Sequence, residues 1–99
     1  MNNEKEYVEV KLLFFGKARE IIGVEMLRKN VPKTIRITEL YTLIFEQICP
    51  FLLSIRNSCI LAVDHTYLNI SKDEEITLNR YAEIAIIPPI SGGRIKYFN

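Results

Sequence analysis

The chain has 99 residues, 48% of them hydrophobic and 25% charged, with 13 basic and 12 acidic side chains and a net charge of +1. That length bounds it to one domain with one modest core, and the balanced charge argues against broad phosphate binding, so no nucleic-acid partner is expected. No apolar stretch approaches the roughly 18 residues of a membrane span, and Met1-Asn2-Asn3-Glu4-Lys5-Glu6 is too polar for a signal peptide, which sets the expectation of a cytoplasmic protein with no membrane partner.

Residues 1–6 read as a frayed lead-in. From Tyr7 to Phe15 the pattern alternates: Val8, Val10, Leu12 and Phe14 fall on one face, and Tyr7, Glu9, Lys11, Leu13 and Phe15 on the other. Period two predicts a strand with one buried face, and the outward face itself turns apolar at Leu13 and Phe15. Gly16 ends the strand. Residues 17–22 read as one or two helical turns closed by Gly23, and Met26 to Val31 as a second strand pairing with the first.

Leu40, Leu43, Ile44 and Ile48 recur at helical spacing, with Thr38 placed to cap the first turn and Cys49-Pro50 to end the last. Residues 50–58 read as a connection. Cys59-Ile60-Leu61-Ala62-Val63 is a short apolar run that suits a buried strand. Asp64-His65-Thr66 reads as a tight turn, Tyr67–Ile70 as a short return strand, and residues 71–75 as a polar loop. Residues 83–87 alternate again, until Pro88-Pro89 forbids further pairing. The predicted fold class is α+β: a β-grasp arrangement, a mixed four- to five-stranded sheet with one main helix, the first and last strands central.

Pro88-Pro89-Ile90-Ser91-Gly92-Gly93 follows the last strand directly. The prolines favour extended backbone of low entropy, and the glycines have no side chain to obstruct a narrow passage. Gly-Gly alone is also a common turn or linker; a proline pair just before it, after a core strand, points instead to a thin probe for another protein's active site.

Here the chain resembles a family. Residues 10–20 (Val-Lys-Leu-Leu-Phe-Phe-Gly-Lys-Ala-Arg-Glu), then Gly23, and residues 83–93 ending in Pro-Pro-Ile-Ser-Gly-Gly, are similar to the small subunits of molybdopterin synthase, which are ubiquitin-like β-grasp sulfur carriers. The resemblance implies that an ATP-dependent activating enzyme adenylates the Gly93 carboxylate and sulfur then makes it a thiocarboxylate. Gly92 gives passage, and the tail enters the large synthase subunit, which builds the molybdopterin dithiolene. It also implies partner contacts at Phe15, Tyr67, Ile87, Pro88, Pro89, Ile90 and Ser91, of which Phe15 and Ile87 are expected in an exposed apolar cluster on the outward face, ordinary partial burial being the competing account. ATP serves the activating partner, and no cofactor is expected to stay bound. The chain offers no general base or nucleophile of its own.

The remaining candidates read more plainly. Cys49 and Cys59 lack metal spacing and read as small buried hydrophobes, so no metal is expected. His65 reads as an exposed turn residue, and Arg19 and Glu20, although in the opening motif, as helix-surface ion-pair formers. Tyr81-Ala82-Glu83 stands where the family commonly has Gly-Asp-Glu, which predicts a turn built differently.

The larger departure is Arg94–Asn99, a C-terminal extension of the 1–93 domain. With it attached, the Gly93 carbonyl is an amide and cannot be adenylated. Three accounts stand: a processing protease removes it; it is an expression remnant or read-through; or the chain has lost carrier activity and keeps a binding role. Other functions also stand beside the first: a ubiquitin-like sulfur carrier or modifier for thiamin or tRNA thiolation, or a non-catalytic β-grasp binding module.

Overall fold

The computed structural model describes residues 5–89. β1 (Tyr7–Phe14) is buried at Val10, Leu12 and Phe14, as its alternation predicts. It pairs antiparallel with β2 (Met26–Pro32) and, parallel, with β7 (Glu83–Ile87), the last strand. β4 (Ile60–Val63) pairs antiparallel with β7 and with the short β5 (Thr66–Tyr67), so the sheet order is β2-β1-β7-β4-β5. The most apolar strands are thus central, and the mixed sheet carries the expected β-grasp crossover.

α1 (Gly16–Ile22) ends on Gly23 at φ 90°, whose N–H donates to the Arg19 carbonyl at 2.8 Å. A left-handed residue there costs glycine nothing, as C-cap chemistry requires. The main helix departs from expectation at both ends. α2 (Ile37–Thr42) starts before Thr38, which sits inside its first turn. The cap comes from the far loop instead: Asp73 Oδ1 accepts from the Thr38 N–H at 3.0 Å and from Thr38 Oγ1 at 2.7 Å. Arg36 Nη2 donates to the Asp73 carbonyl at 2.7 Å, and the Arg36 N–H to Glu39 Oε1 at 3.2 Å.

After Thr42 the helix widens into a π-helical segment, Leu43–Ile48, where the Cys49 N–H reaches back to the Ile44 carbonyl at 2.7 Å. Pro50 cannot continue that ladder but suits a helix start. Residues 50–58, read as a connection, therefore form a 3₁₀ helix, Pro50–Ser58. Period three places Leu52 and Ile55 inward together; Leu52 is fully buried, and Arg56 Nη1 binds Glu46 Oε2 at 2.8 Å across the two segments. A second, two-stranded sheet also went unpredicted. β3 (Thr34–Arg36) pairs with β6 (Glu75–Thr77), and their three residues each are too short for a visible period. The return strand is likewise Thr66–Tyr67 alone, without residues 68–70.

The core lies between the sheet's inner face and the helical layer: Val10, Leu12, Phe14, Leu40, Ile44, Phe45, Leu61, Leu78, Ile84 and Ile86 are shut from solvent. Tyr41 and Phe45 stack at 6.0 Å between centroids. The Tyr41 hydroxyl accepts the Leu61 N–H at 3.1 Å, filling a β4 edge position that β5 is too short to reach.

Candidate functional site

The registers place the site without reference to its side chains' roles. Cross-strand partners share a face of a sheet. Leu13 pairs with Met26 and Ala85, Ala85 with Ala62, and Ala62 with Tyr67, so one row crosses all five strands on the outward face. A second row, nearer the end of β7, holds Ile87 opposite Ile60, with Phe15 just past the last β1–β7 pair, Phe14–Ile86. In the other direction lies Arg28-Lys11-Glu83, with Asp64 donating its N–H to the Glu83 carbonyl at 2.8 Å. The outward face therefore runs from charged to apolar, and β7 leaves the sheet at the apolar end.

The opening motif lies beside that exit. Gly16 has φ 52°, and a Cβ placed on it would stand 3.4 Å from Pro88 Cγ. Phe15 is half-buried, and its carbonyl accepts the Ala18 N–H at 3.0 Å, which starts α1 beside the exit. Pro88 is buried and Pro89 exposed, so the proline pair straddles the boundary between body and tail. Sequence reasoning took Gly16 only as a strand breaker. It missed the proximity of Gly16 to Pro88, and with it Ile60, Ala62 and Ala85, because the β4–β7 register cannot be read from composition.

Phe15 and Ile87 lie on the outward face as the alternation requires, with Tyr67 on the neighbouring row at 44% exposed. The expected exposed cluster needs correcting at Ile87, which is 3% exposed and packs with the fully buried Ala62 and Ala85 and with Phe15. Ile90, Ser91, Gly92 and Gly93 lie outside the described residues, as do residues 94–99.

The hairpin carrying Tyr67 turns on Asp64 (φ 47°) and His65 (φ 73°), both left-handed, the pattern of a type I′ turn. Asp64 Oδ1 also accepts the Glu83 N–H at 2.9 Å, which ties this turn to the start of β7. His65 is exposed, as expected of a turn residue. The turn before β7 keeps a left-handed residue, but Tyr81 supplies it at φ 67° in place of glycine, with its N–H bound to the Glu9 carbonyl. The Arg80 guanidinium lies 5.0 Å from the Tyr81 ring centre.

The thiols are poor nucleophiles. Burial pushes Cys59 up to about 11 and also raises Cys49, and both are free and buried. Arg19 pairs with Glu25 and Glu20 with Lys17, each at 3.7 Å on the surface, where such pairs contribute little. Among the described residues no group of three or more His, Cys, Asp or Glu side chains is placed to hold a metal, and no helix is long and apolar enough to cross a membrane. What the site offers is a platform: an apolar sheet face and a stiff segment leaving it.

A sequence model described as the ThiS family matches residues 12–93. The chain is 40% identical over 86 residues to a molybdopterin synthase sulfur carrier subunit of Caenorhabditis briggsae, covering 87% of this chain and 99% of that protein. It is 40% identical over 85 residues to the human protein of the same name, covering 86% and 94%. The fold is similar to that of the small archaeal modifier protein 1 of Methanosarcina acetivorans, with a TM-score of 0.64 at 20% identity over 89% of this chain and 99% of that one.

Proposed function

The chain belongs to the ThiS family, and from that premise we propose that it is the sulfur carrier subunit of a molybdopterin synthase. The observation that supports this reading is the exit of β7: a central strand running into Pro88-Pro89, beside Gly16, at the apolar end of the outward face. A stiff Pro88-Pro89 segment rooted in the sheet centre lowers the ordering cost when a partner binds.

In this reading Gly93 carries the sulfur and Gly92 lets the chain through a passage too narrow for side chains. A partner enzyme uses ATP to join AMP to the Gly93 carboxylate and releases pyrophosphate. A sulfide-level nucleophile attacks the activated acyl carbon and AMP leaves, which gives the thiocarboxylate. The large synthase subunit then takes the tail, with Phe15, Tyr67, Ile87, Pro88, Pro89, Ile90 and Ser91 as the contacts. Each step needs a free Gly93 carboxylate, so Arg94–Asn99 must first be cut away by a protease acting at the Gly93–Arg94 bond. The nucleotide binds the activating enzyme, and two free thiols suit a reducing cytoplasm.

The test is intact-mass analysis after incubation with an activating enzyme, ATP and a sulfur source. A chain ending at Gly93 should gain one sulfur in place of one oxygen and the 99-residue chain should not. Absence of sulfur on the Gly93-ending chain would refute the carrier reading. Co-purification with a large synthase subunit separates this carrier from one serving thiamin or tRNA thiolation.

A further inference from the structure

The main sheet ends differently on its two sides. At one margin the edge is short and filled: β5 covers part of β4, the Leu68 N–H donates to the Leu61 carbonyl at 2.9 Å, and the Tyr41 hydroxyl accepts the Leu61 N–H. At the other margin β2 runs from Met26 to Pro32, and among the described residues β1 is the one strand paired with it. The phase of that pairing fixes what β2 leaves open. The Phe14 N–H donates to the Glu25 carbonyl at 2.9 Å at one end of the ladder, and the Lys33 N–H to the Glu6 carbonyl at 2.8 Å at the other. Bonded and non-bonded pairs alternate in an antiparallel ladder, so Leu27, Lys29 and Val31 bond to β1. Met26, Arg28 and Asn30 therefore turn their N–H and C=O groups away from β1, and Pro32 turns a carbonyl alone.

We propose that this edge is the docking strand for an extended acidic segment of a partner protein, which joins the sheet beside β2 through backbone hydrogen bonds. Charge selects the occupant. Residues 26–32 include Arg28 and Lys29 and no acidic residue, and Lys33 follows. Arg28 meets Glu9 at 3.8 Å on the surface, a weak pair that a partner's carboxylate can share or displace. A second copy overlapping the whole strand antiparallel has its two-fold axis at Lys29, which sets that cation against itself, and like charges directly opposite destabilise a sheet. Moving the axis to Arg28 repeats the conflict. Moving it to Asn30 sets Arg28 opposite Pro32, which has no N–H to return. An acidic segment meets neither obstacle. Its carboxylates pair with Lys29 on the inner face and with Arg28 on the outward face. Apolar residues opposite Leu27 and Val31 extend the inner rows that these residues form with Leu12 and Val8.

β1 separates β2 from β7, so a strand added at this edge leaves the exit of β7 uncovered, and the docking is independent of the carrier reading. The test uses the full 99-residue chain and NMR. The probe is the peptide acetyl-Thr-Val-Thr-Glu-Glu-Val-Val-Thr-amide, written so that, antiparallel to β2, its Glu-Glu pair opposes Lys29 and Arg28. The amides of Met26, Arg28 and Asn30 should gain protection from hydrogen exchange on titration, while those of Leu27, Lys29 and Val31, already bonded to β1, should change little. A peptide with Lys-Lys in place of Glu-Glu should bind at least about tenfold more weakly, as two reversed cross-strand charge pairs require. Arg28→Glu with Lys29→Glu should reverse the preference between the two peptides; should that variant not fold, the comparison on the native chain decides alone.

No binding of the Glu-Glu peptide at millimolar concentration, protection confined to residues outside β2, or equal binding of the two peptides to the native chain would overturn the proposal. So would β2 signals that change with protein concentration alone, which would assign the edge to a second copy. Equal effects of free glutamate at the same concentration would overturn it too, since diffuse charge needs no strand.

Discussion

Replacing Tyr41 by Phe removes one oxygen and leaves the stacked ring in place. Tyr41 is 4% exposed and Leu61 fully buried, so no water can take over the Leu61 N–H that the hydroxyl now accepts at 3.1 Å. An orphaned buried donor costs about 1–3 kcal/mol. A gain from losing the buried hydroxyl offsets part of this: burial raises the Tyr41 pKa, the mark of a desolvated group. We therefore expect a net loss of about 1–2 kcal/mol in urea unfolding, with an unchanged slope. At roughly 4–8 °C per kcal/mol for a domain of this size, the melting temperature should fall by about 4–16 °C. Tyr7→Phe, at an exposed ring, is the control and should stay within about 0.5 kcal/mol. The local signature is faster exchange of the Leu61 amide, ahead of the Leu68 amide, which donates to the Leu61 carbonyl. A loss below about 0.5 kcal/mol, or an unchanged Leu61 amide, would refute the reasoning that Tyr41 completes the β4 edge.

Three further outcomes follow from the same geometry. Tyr81→Gly should stabilise the fold by about 0.5–1 kcal/mol, since it relieves a left-handed tyrosine and loses only an exposed ring–guanidinium contact; a lower melting temperature would contradict it. The Thr38 hydroxyl and N–H, then Arg36, hold the Asp73 carboxyl below its usual range, so it binds protons less readily folded than unfolded. Its contribution is therefore present above the unfolded value of about 3.9 and lost as pH falls through the lower folded value; Asp73→Asn should lower stability at pH 7 and flatten the acid limb, and an unchanged limb would count against the cap. With Cys59 near 11, about one thiol in a thousand is ionised at pH 8, so a disulfide reagent should leave the native protein untouched over minutes and titrate both cysteines in urea.

The parts of the fold legible in the sequence are those with a long period. Eight alternating residues of β1 announced both faces, and the terminal strand was bracketed by charge and proline. What stayed hidden had short elements or distant partners. β3 and β6 are three residues each, and the cap of α2 is supplied by Asp73, 35 positions away from Thr38. The π-to-3₁₀ passage at Cys49-Pro50 was visible as a break but not as a change of helix type, because apolar residues three apart and four apart both satisfy a loose helical pattern. At the candidate site the same division holds. The tail motif and the outward Phe15 and Ile87 were readable, whereas the rows that unite them with Ile60, Ala62 and Tyr67 depend on register, which only pairing reveals.

Those rows also explain why the tail leaves from this strand. A segment following an edge strand would swing with the edge, since an edge is paired on one side only. β7 is paired on both sides, parallel to β1 and antiparallel to β4, up to Ile86 and Ile87. The backbone direction at Pro88 is thus set by pairing on both sides of β7, and Gly16 lies alongside, where an added Cβ would stand 3.4 Å from Pro88 Cγ. A side chain at position 16 would be strained by the left-handed φ before it met any atom, so the rest of the brace tolerates change better than Gly16 does. The direction in which the chain leaves the sheet thus originates in the placement of β7 between β1 and β4.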